Sequence, residues 1–268
     1  MKTASIDQAK LKNAWKSDWI GKEMHYFDVT DSTNMQARRL AEEGSLHGTL
    51  VVAGSQQAGK GRSGRTWDSK PDNGIFMTLL LRPKIAPQNA SMLTLVAALA
   101  VSKAIRKMTG LLVQIKWPND IVYNGKKICG ILTEMSAEVA HIHYVIVGIG
   151  INVTNTEFSE EISAVATSLF LESGKKTDRS ELIAEVCAFF EQEYAVFCEK
   201  EDMSTLLKEY NAYLVNRHKQ VRILDPKEPF EGKALGINAR GELLVDVCGE
   251  EKKVSSGEVS VRGIYGYV

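Results

Sequence analysis

The chain has 268 residues, with 33 basic and 33 acidic side chains, 44% hydrophobic content and a pI near 7.0. That balance excludes a disordered or fibrous chain and removes whole-molecule attraction to nucleic acid, so any anion must be recognised locally. Cys129, Cys187, Cys198 and Cys248 form no C-x-x-C pair, which argues against a zinc ribbon, a thioredoxin-type site and a secreted disulfide framework, and for free thiols in a reducing cytosol.

In chain order, residues 1–15 carry lysines and no apolar h-region, so they do not read as a signal peptide. Ile6, Leu11, Trp15 and Trp19 predict a short leading helix over residues 6–20, bounded by Gly21. A strand over 25–29 is followed by Asp31-Ser32-Thr33-Asn34, which supplies cap side chains for a helix over 34–43 stopped by Gly44. Runs 49–55 and 74–82 suit buried strands, and the long loop between them is uncommon unless it acts. A helix over 91–109 is capped by Ser91 and ended by Gly110. Its most apolar part, 92–101, falls short of the roughly 20 residues a membrane span needs. Strands are predicted over 112–116, 121–123, 127–136 and 141–151, with Asn124-Gly125 as a hairpin turn. Two helices, 180–199 and 203–214, precede a change of pattern to five short strands punctuated by Asp225-Pro226, residues 238–241 and Gly249. The organisation is a leading segment over 1–22, a main domain over 23–216 and a small β-barrel module over 217–268.

Three features carry chemistry. Gly59-Lys60-Gly61-Arg62-Ser63-Gly64-Arg65-Thr66-Trp67 matches G-x-G-x-x-G literally, but turn formers and a strand follow it where a phosphate loop would open a helix. It reads instead as a pliant cationic flap that orders when an anion arrives, with its glycines marking close approach of backbone. Lys116-Trp117-Pro118-Asn119-Asp120, followed by Lys127 and Gly130, breaks a strand at Pro118 and leaves Asn119 and Asp120 where oxygen ligands could hold hydrated magnesium, or where Asp120 is a turn residue. Gly148-Ile149-Gly150-Ile151-Asn152 ends an apolar strand where missing side chains leave room for a ligand. His141 and His143 share a strand face with no evident third metal ligand, Ser32 lacks a G-x-S-x-G setting, and Glu181 to Glu193 reads as a solvated helix face.

In order and spacing, these segments together with Asp31 to Asn34 and Gln56-Gln57 resemble the biotin protein ligases, over about residue 25 to 268. One departure is Lys60, where the family usually has arginine; the charge is kept and the bidentate fork is lost. The resemblance implies an α+β fold with a mixed or antiparallel class II synthetase-like sheet and an SH3-like C-terminal barrel. It also implies a two-step reaction in the cytoplasm: biotin and ATP give biotinyl-5′-AMP, and a lysine of a biotin carboxyl carrier domain then displaces AMP. Ser32, Thr33, Asn34, Gln56, Gly59, Lys60, Gly61, Arg62, Lys127, Gly130, Gly148 and Gly150 are then expected around biotin, and Arg62, Arg65, Trp67, Lys116, Asn119, Lys127 and Asn152 around ATP. Lys127, Arg62, Asp120 and Lys116 are the expected catalytic set, with Asp120 on magnesium. The state could be a monomer or a homodimer, with no DNA or membrane partner. A lipoate or octanoate protein ligase is the nearest competing reading. A biotin-responsive repressor is remote, because too few residues precede the first strand for a winged helix. A phosphate-contacting nucleic-acid arm is weaker still, with Trp67 the only interleaved aromatic.

Overall fold

The β-branched runs ahead of residue 153 pair edge to edge into one sheet. A computed structural model describes residues 6–225, 228–257, 259–264 and 266–268. Pro226 of the expected Asp225-Pro226 turn and the first five residues of the leading segment lie outside the described residues. The strands are β1 Met24–Thr30, β2 Thr49–Gln56, β3 Gly74–Leu81, β4 Gln114–Lys116, β5 Asp120–Tyr123, β6 Lys126–Ala137 and β7 Ile142–Asn152. They stand in the order β1-β2-β3-β7-β6-β5-β4. Only β1 and β2 run parallel, so the sheet is mixed, as expected. Asn124 (φ 49°) and Gly125 (φ 78°) close the β5–β6 hairpin with the two positive φ angles that a type I′ turn requires.

The helices are α1 Gln8–Ala14, α2 Thr33–Glu42, α3 Leu93–Thr109, α4 Glu160–Ser163, α5 Leu169–Ser173, α6 Arg179–Lys200 and α7 Leu207–Tyr213. The leading helix stops at Ala14, short of its predicted end, because Trp15 turns extended and its indole N–H donates to the Ile20 carbonyl at 3.0 Å. Ser91 does not cap α3: it lies inside a 3₁₀ turn, Pro87–Met92, that runs straight into the helix. With that turn included, Pro87–Thr109 is long and apolar enough to cross a membrane, more than the sequence reading counted. Here it is the central core helix, with Val96 to Val101 fully buried, and Gly110 ends it at φ 75°.

The expected solvated face of α6 is corrected by packing. Glu185 and Glu193 are buried, since α6 lies between α3 and the leading segment. Glu185 pairs with Lys107 at 2.9 Å and with Lys16, and Glu193 pairs with Lys103 at 2.7 Å. Charges on this face are therefore compensated rather than hydrated.

A second, antiparallel sheet holds β8 Gln220–Leu224, β9 Phe230–Ile237, β10 Leu243–Val247, β11 Glu250–Val254 and β12 Ser260–Gly263, in the order β11-β10-β9-β8-β12. The fully buried Trp117 ties the two sheets together by donating its indole N–H to the Gly241 carbonyl at 3.1 Å. That joint brings the β11–β12 connection over the glycine loop.

Candidate active site

The loop between β2 and β3 folds on itself. Lys60 bridges Thr66, the Gly61 N–H donates to the Arg65 carbonyl at 2.7 Å and the Trp67 N–H to the Gly59 carbonyl at 2.9 Å. A single 3₁₀ turn, Arg62–Gly64, forms its tip, and no helix follows, in keeping with rejection of the phosphate-loop motifs. The loop has more internal structure than its glycine content suggests. Gly59 is a true close approach: a Cβ there would lie 2.6 Å from the Trp67 carbonyl oxygen.

Behind the loop lies a narrow slot of about 50 Å³, lined among others by Ser32, Thr33, Gln56, Lys60, Lys127 and Gly130. Gln56 is held from both ends. Its Oε1 accepts the Thr33 N–H at 2.8 Å, and its Nε2 donates to Ser69 Oγ at 2.8 Å. Asn34 donates to Glu134 at 2.7 Å, and its amide oxygen occupies the room above Gly148. The space over Gly130 and Gly150 is taken by the Trp67 ring, which stands 2.8 Å and 2.6 Å from the ideal Cβ positions. So the glycines do open room against the sheet, but protein side chains fill it in this state. Among the described residues the buried Trp67 indole N–H has no hydrogen-bond partner, an unsatisfied donor that costs about 1–3 kcal/mol.

On the other side of Trp67 is a cavity of about 700 Å³ that contains Arg65, Lys116, Asn119, Asp120, Lys127, Asn152, Arg262 and Tyr267 in its wall. Lys127 reaches both spaces, and its backbone is fixed by bonds to the Val165 carbonyl (2.7 Å) and from the Thr167 N–H (2.9 Å). Asp120 is buried, with Oδ1 2.6 Å from Lys127 Nζ and Oδ2 4.0 Å from Lys116 Nζ. Tyr267 donates its hydroxyl to the same Oδ2. Burial pushes the Asp120 carboxyl up, but the two lysines and these hydrogen bonds outweigh it and hold the group below the usual carboxylate range. Burial also pushes the Lys116 ammonium down to about 8, with Asp120 opposing the shift. Arg62 donates to Asn119 Oδ1 at 3.1 Å and to the carbonyls of Ser256 (2.8 Å), Gly257 and Val259 (3.3 Å), and burial lowers its pKa. Asn152 donates to the Thr167 carbonyl at 3.0 Å.

The expected magnesium role of Asp120 does not fit the protein on its own. Oδ2 accepts from the Tyr267 hydroxyl and Oδ1 is ion-paired with Lys127, although it has no hydrogen-bond partner among the described residues, and among those residues no group of three or more His, Cys, Asp or Glu side chains could hold a metal. His141 and His143 meet edge to face at 5.3 Å, with Glu138 3.4 Å from His143.

Sequence reasoning missed Arg262 and Tyr267. Both come from the second sheet and its following segment, where the flanking Gly263 and Gly266 were the available signal, Gly263 being a close backbone approach to Val268. The remaining expected residues converge; Asn34 and Lys60 also line the slot, with Asn34 bonded to Glu134 and Lys60 Nζ 3.7 Å from Met35 Sδ.

Residues 26–152, which carry the mixed sheet and the slot, match the model of the Biotin/lipoate A/B protein ligase family. The Biotin protein ligase C terminal domain matches residues 219–262. The Bacillus subtilis bifunctional ligase/repressor BirA is 38% identical over 262 residues, covering 97% of this chain and 80% of that protein. The Mycobacterium tuberculosis biotin–[acetyl-CoA-carboxylase] ligase is 31% identical, covering 86% and 85%. The structure of the Aquifex aeolicus biotin protein ligase in complex with biotin and ATP superposes with a TM-score of 0.80 at 33% identity, covering 90% of this chain and 99% of that one. The chain belongs to the biotin protein ligases.

Proposed function

We propose that this chain condenses biotin with ATP to biotinyl-5′-AMP and pyrophosphate, then passes the biotinyl group to a lysine of a biotin carboxyl carrier domain. The observation that carries the reading is Lys127: one ammonium stands at the junction of a small slot and a larger cationic cavity. A carboxylate attacking an α-phosphate brings two anions together, so a cation shared by both spaces is where charge develops.

In this reading the ureido ring of biotin meets Ser32, Thr33 and Gln56, which offer donors and acceptors in fixed orientation. The narrow slot opens by lifting Trp67 from Gly130 and Gly150, and the displaced indole then faces the adenine. Arg62, Arg65 and Lys116 take phosphate oxygens, and Asn152 and Asn119 line the nucleoside side. Asp120, kept ionised by its lysines, accepts a hydrogen bond from the incoming lysine amine in the second step as AMP leaves. Magnesium enters with ATP as part of the substrate, its oxygens drawn from phosphate and water. The free, buried Cys129 and Cys187 suit a cytoplasmic setting.

The test is transfer from ATP and biotin to an apo carrier domain, alongside pyrophosphate exchange with biotin and with lipoate. Exchange supported by lipoate and not by biotin, or failure to form an acid-labile biotin nucleotide, would overturn the reading.

A further inference from the structure

Tyr267 makes three contacts in the catalytic cavity from one side chain. Its hydroxyl donates to Asp120 Oδ2, Lys116 Nζ lies 4.2 Å from its ring centroid, and the Arg262 guanidinium lies 4.7 Å from the same centroid. Lys127 holds the other Asp120 oxygen at 2.6 Å. Lys116 is thus beside a buried carboxylate and yet 4.0 Å from it, outside hydrogen-bond reach. Its side chain is 6% exposed and that of Asp120 10%, so water does little to screen their attraction. The tyrosine hydroxyl takes an acceptor position on the Asp120 oxygen nearest Lys116 and so competes with the ammonium for it.

We propose that Tyr267 is a positioning residue for the ligase reaction: it fills the free oxygen of Asp120 and so keeps the Lys116 ammonium turned to the nucleotide cavity. The ring does the second half of the task. With Lys116 4.2 Å and Arg262 4.7 Å from its centroid, it offers π density to both and lets two cations stay close before any phosphate arrives. Without the hydroxyl, Lys116 would swing onto Asp120, and the carboxylate would neutralise a cation meant for phosphate. The inference rests on the reading of Lys116 as a phosphate-binding group, which the experiment examines separately.

Tyr267→Phe keeps the ring and removes only the hydroxyl. Steady-state pyrophosphate exchange on the full chain, with biotin binding as a check of folding, is measured for Tyr267→Phe, Lys116→Gln and the double variant. The expected result is a rise in the ATP KM of roughly tenfold in each single variant, the equivalent of about 1.4 kcal/mol. Biotin affinity stays unchanged, and Tyr267→Phe adds nothing when Lys116 is already glutamine. A loss that merely loosened the fold would lower biotin affinity too and would multiply with Lys116→Gln, and that result overturns the proposal. If Lys116→Gln raises the ATP KM while Tyr267→Phe leaves it unchanged or lowers it, the positioning role fails and the reading of Lys116 stands. If neither variant moves the ATP KM, the reading of Lys116 fails and the proposal falls with it.

Discussion

Replacing Lys127 by glutamine removes one charge at a position whose backbone is pinned on both sides, so the effects trace to the ammonium. At 2.6 Å from Asp120, the gross attraction is about 6 kcal/mol at an effective dielectric near 20. Much of that is offset by desolvation, and breaking a buried pair by removing one partner typically costs about 3–5 kcal/mol. Asp120 would not be orphaned here, because Lys116 at 4.0 Å and the Tyr267 hydroxyl remain. The expected loss of stability is therefore smaller, about 2 kcal/mol, or a fall in Tm of about 4–8 °C. Catalysis should suffer more. A donor that faces developing charge is typically worth about 10²–10³ in rate, and biotin-dependent pyrophosphate exchange should fall by about that factor. Lys127→Arg retains the charge and should recover part of the exchange and most of the Tm. If exchange in Lys127→Gln stayed within about tenfold of the parent while the Tm fell as expected, Lys127 would be a structural cation and the junction argument would fail.

Gly150→Ala puts a methyl group 2.6 Å from two atoms of the Trp67 ring. Overpacking of this kind costs about 1–3 kcal/mol, and the ring should lift, seen as a shift in tryptophan emission with a raised ATP KM; unchanged emission would speak against the close contact. Arg62→Gly cuts the bonds to Asn119 and to the carbonyls of Ser256, Gly257 and Val259. If Arg62 also holds the adenylate under the loop, faster proteolysis within the loop is expected, with escape of biotinyl-AMP onto bystander lysines, whereas simple loss of activity with no released intermediate would show that Arg62 does not retain it. In the parent, protease cleavage of the same loop should slow when biotin and ATP are added together. Glu23 is held down to about 2 by hydrogen bonds from Ser45 and His25. A folded pKa below the ordinary 4.5 makes its contribution full above that value and lost as pH falls towards 2. The group is largely solvated, so Glu23→Gln should reduce stability at pH 6 by under about 1 kcal/mol and flatten the acid limb of the denaturation curve between those two values.

Burial of β3 on both faces was legible in the run Gly74 to Leu81, apolar but for Thr78, whereas the strand order was not, since it depends on long-range pairing. The Asn124-Gly125 hairpin and the Gly110 helix stop were legible because each depends on a local φ angle. α4 and α5 were not legible, since one or two turns show no periodicity, although Ser168 and Gly174 do cap α5. Burial of Glu185 and Glu193 depends on what covers the helix, and the charge pattern of α6 alone does not reveal that neighbour. The motif residues of the site cluster in sequence and were found for that reason. Tyr267 stands 147 positions from the carboxylate it contacts, in a stretch with no motif, and only the joint between the two sheets brings it there.

The arrangement also explains how so many cations coexist in a protein of zero formal net charge. Four of the cations that line the cavity, Lys127, Lys116, Arg262 and Arg62, have a partner, whereas the Arg65 side chain has none among the described residues. Lys127 leans on Asp120, Lys116 and Arg262 lie on the ring of Tyr267, and Arg62 is held by main-chain carbonyls. The ring and the carbonyls are neutral partners, weaker than a phosphate oxygen, so nucleotide binding at Lys116, Arg262 and Arg62 is an exchange of internal contacts for external ones rather than the filling of a bare positive hole. Such an exchange lowers ground-state affinity, because every new bond is offset by an old one. It also keeps the donors within a short reach of their targets, so little reorganisation remains when charge develops on the α-phosphate. The same logic couples the second sheet to the loop. Arg62 gives Nη2 to the carbonyls of Ser256, Gly257 and Val259 and Nη1 to Asn119, so a phosphate that drew on either nitrogen would loosen the hold of the loop on the β11–β12 connection.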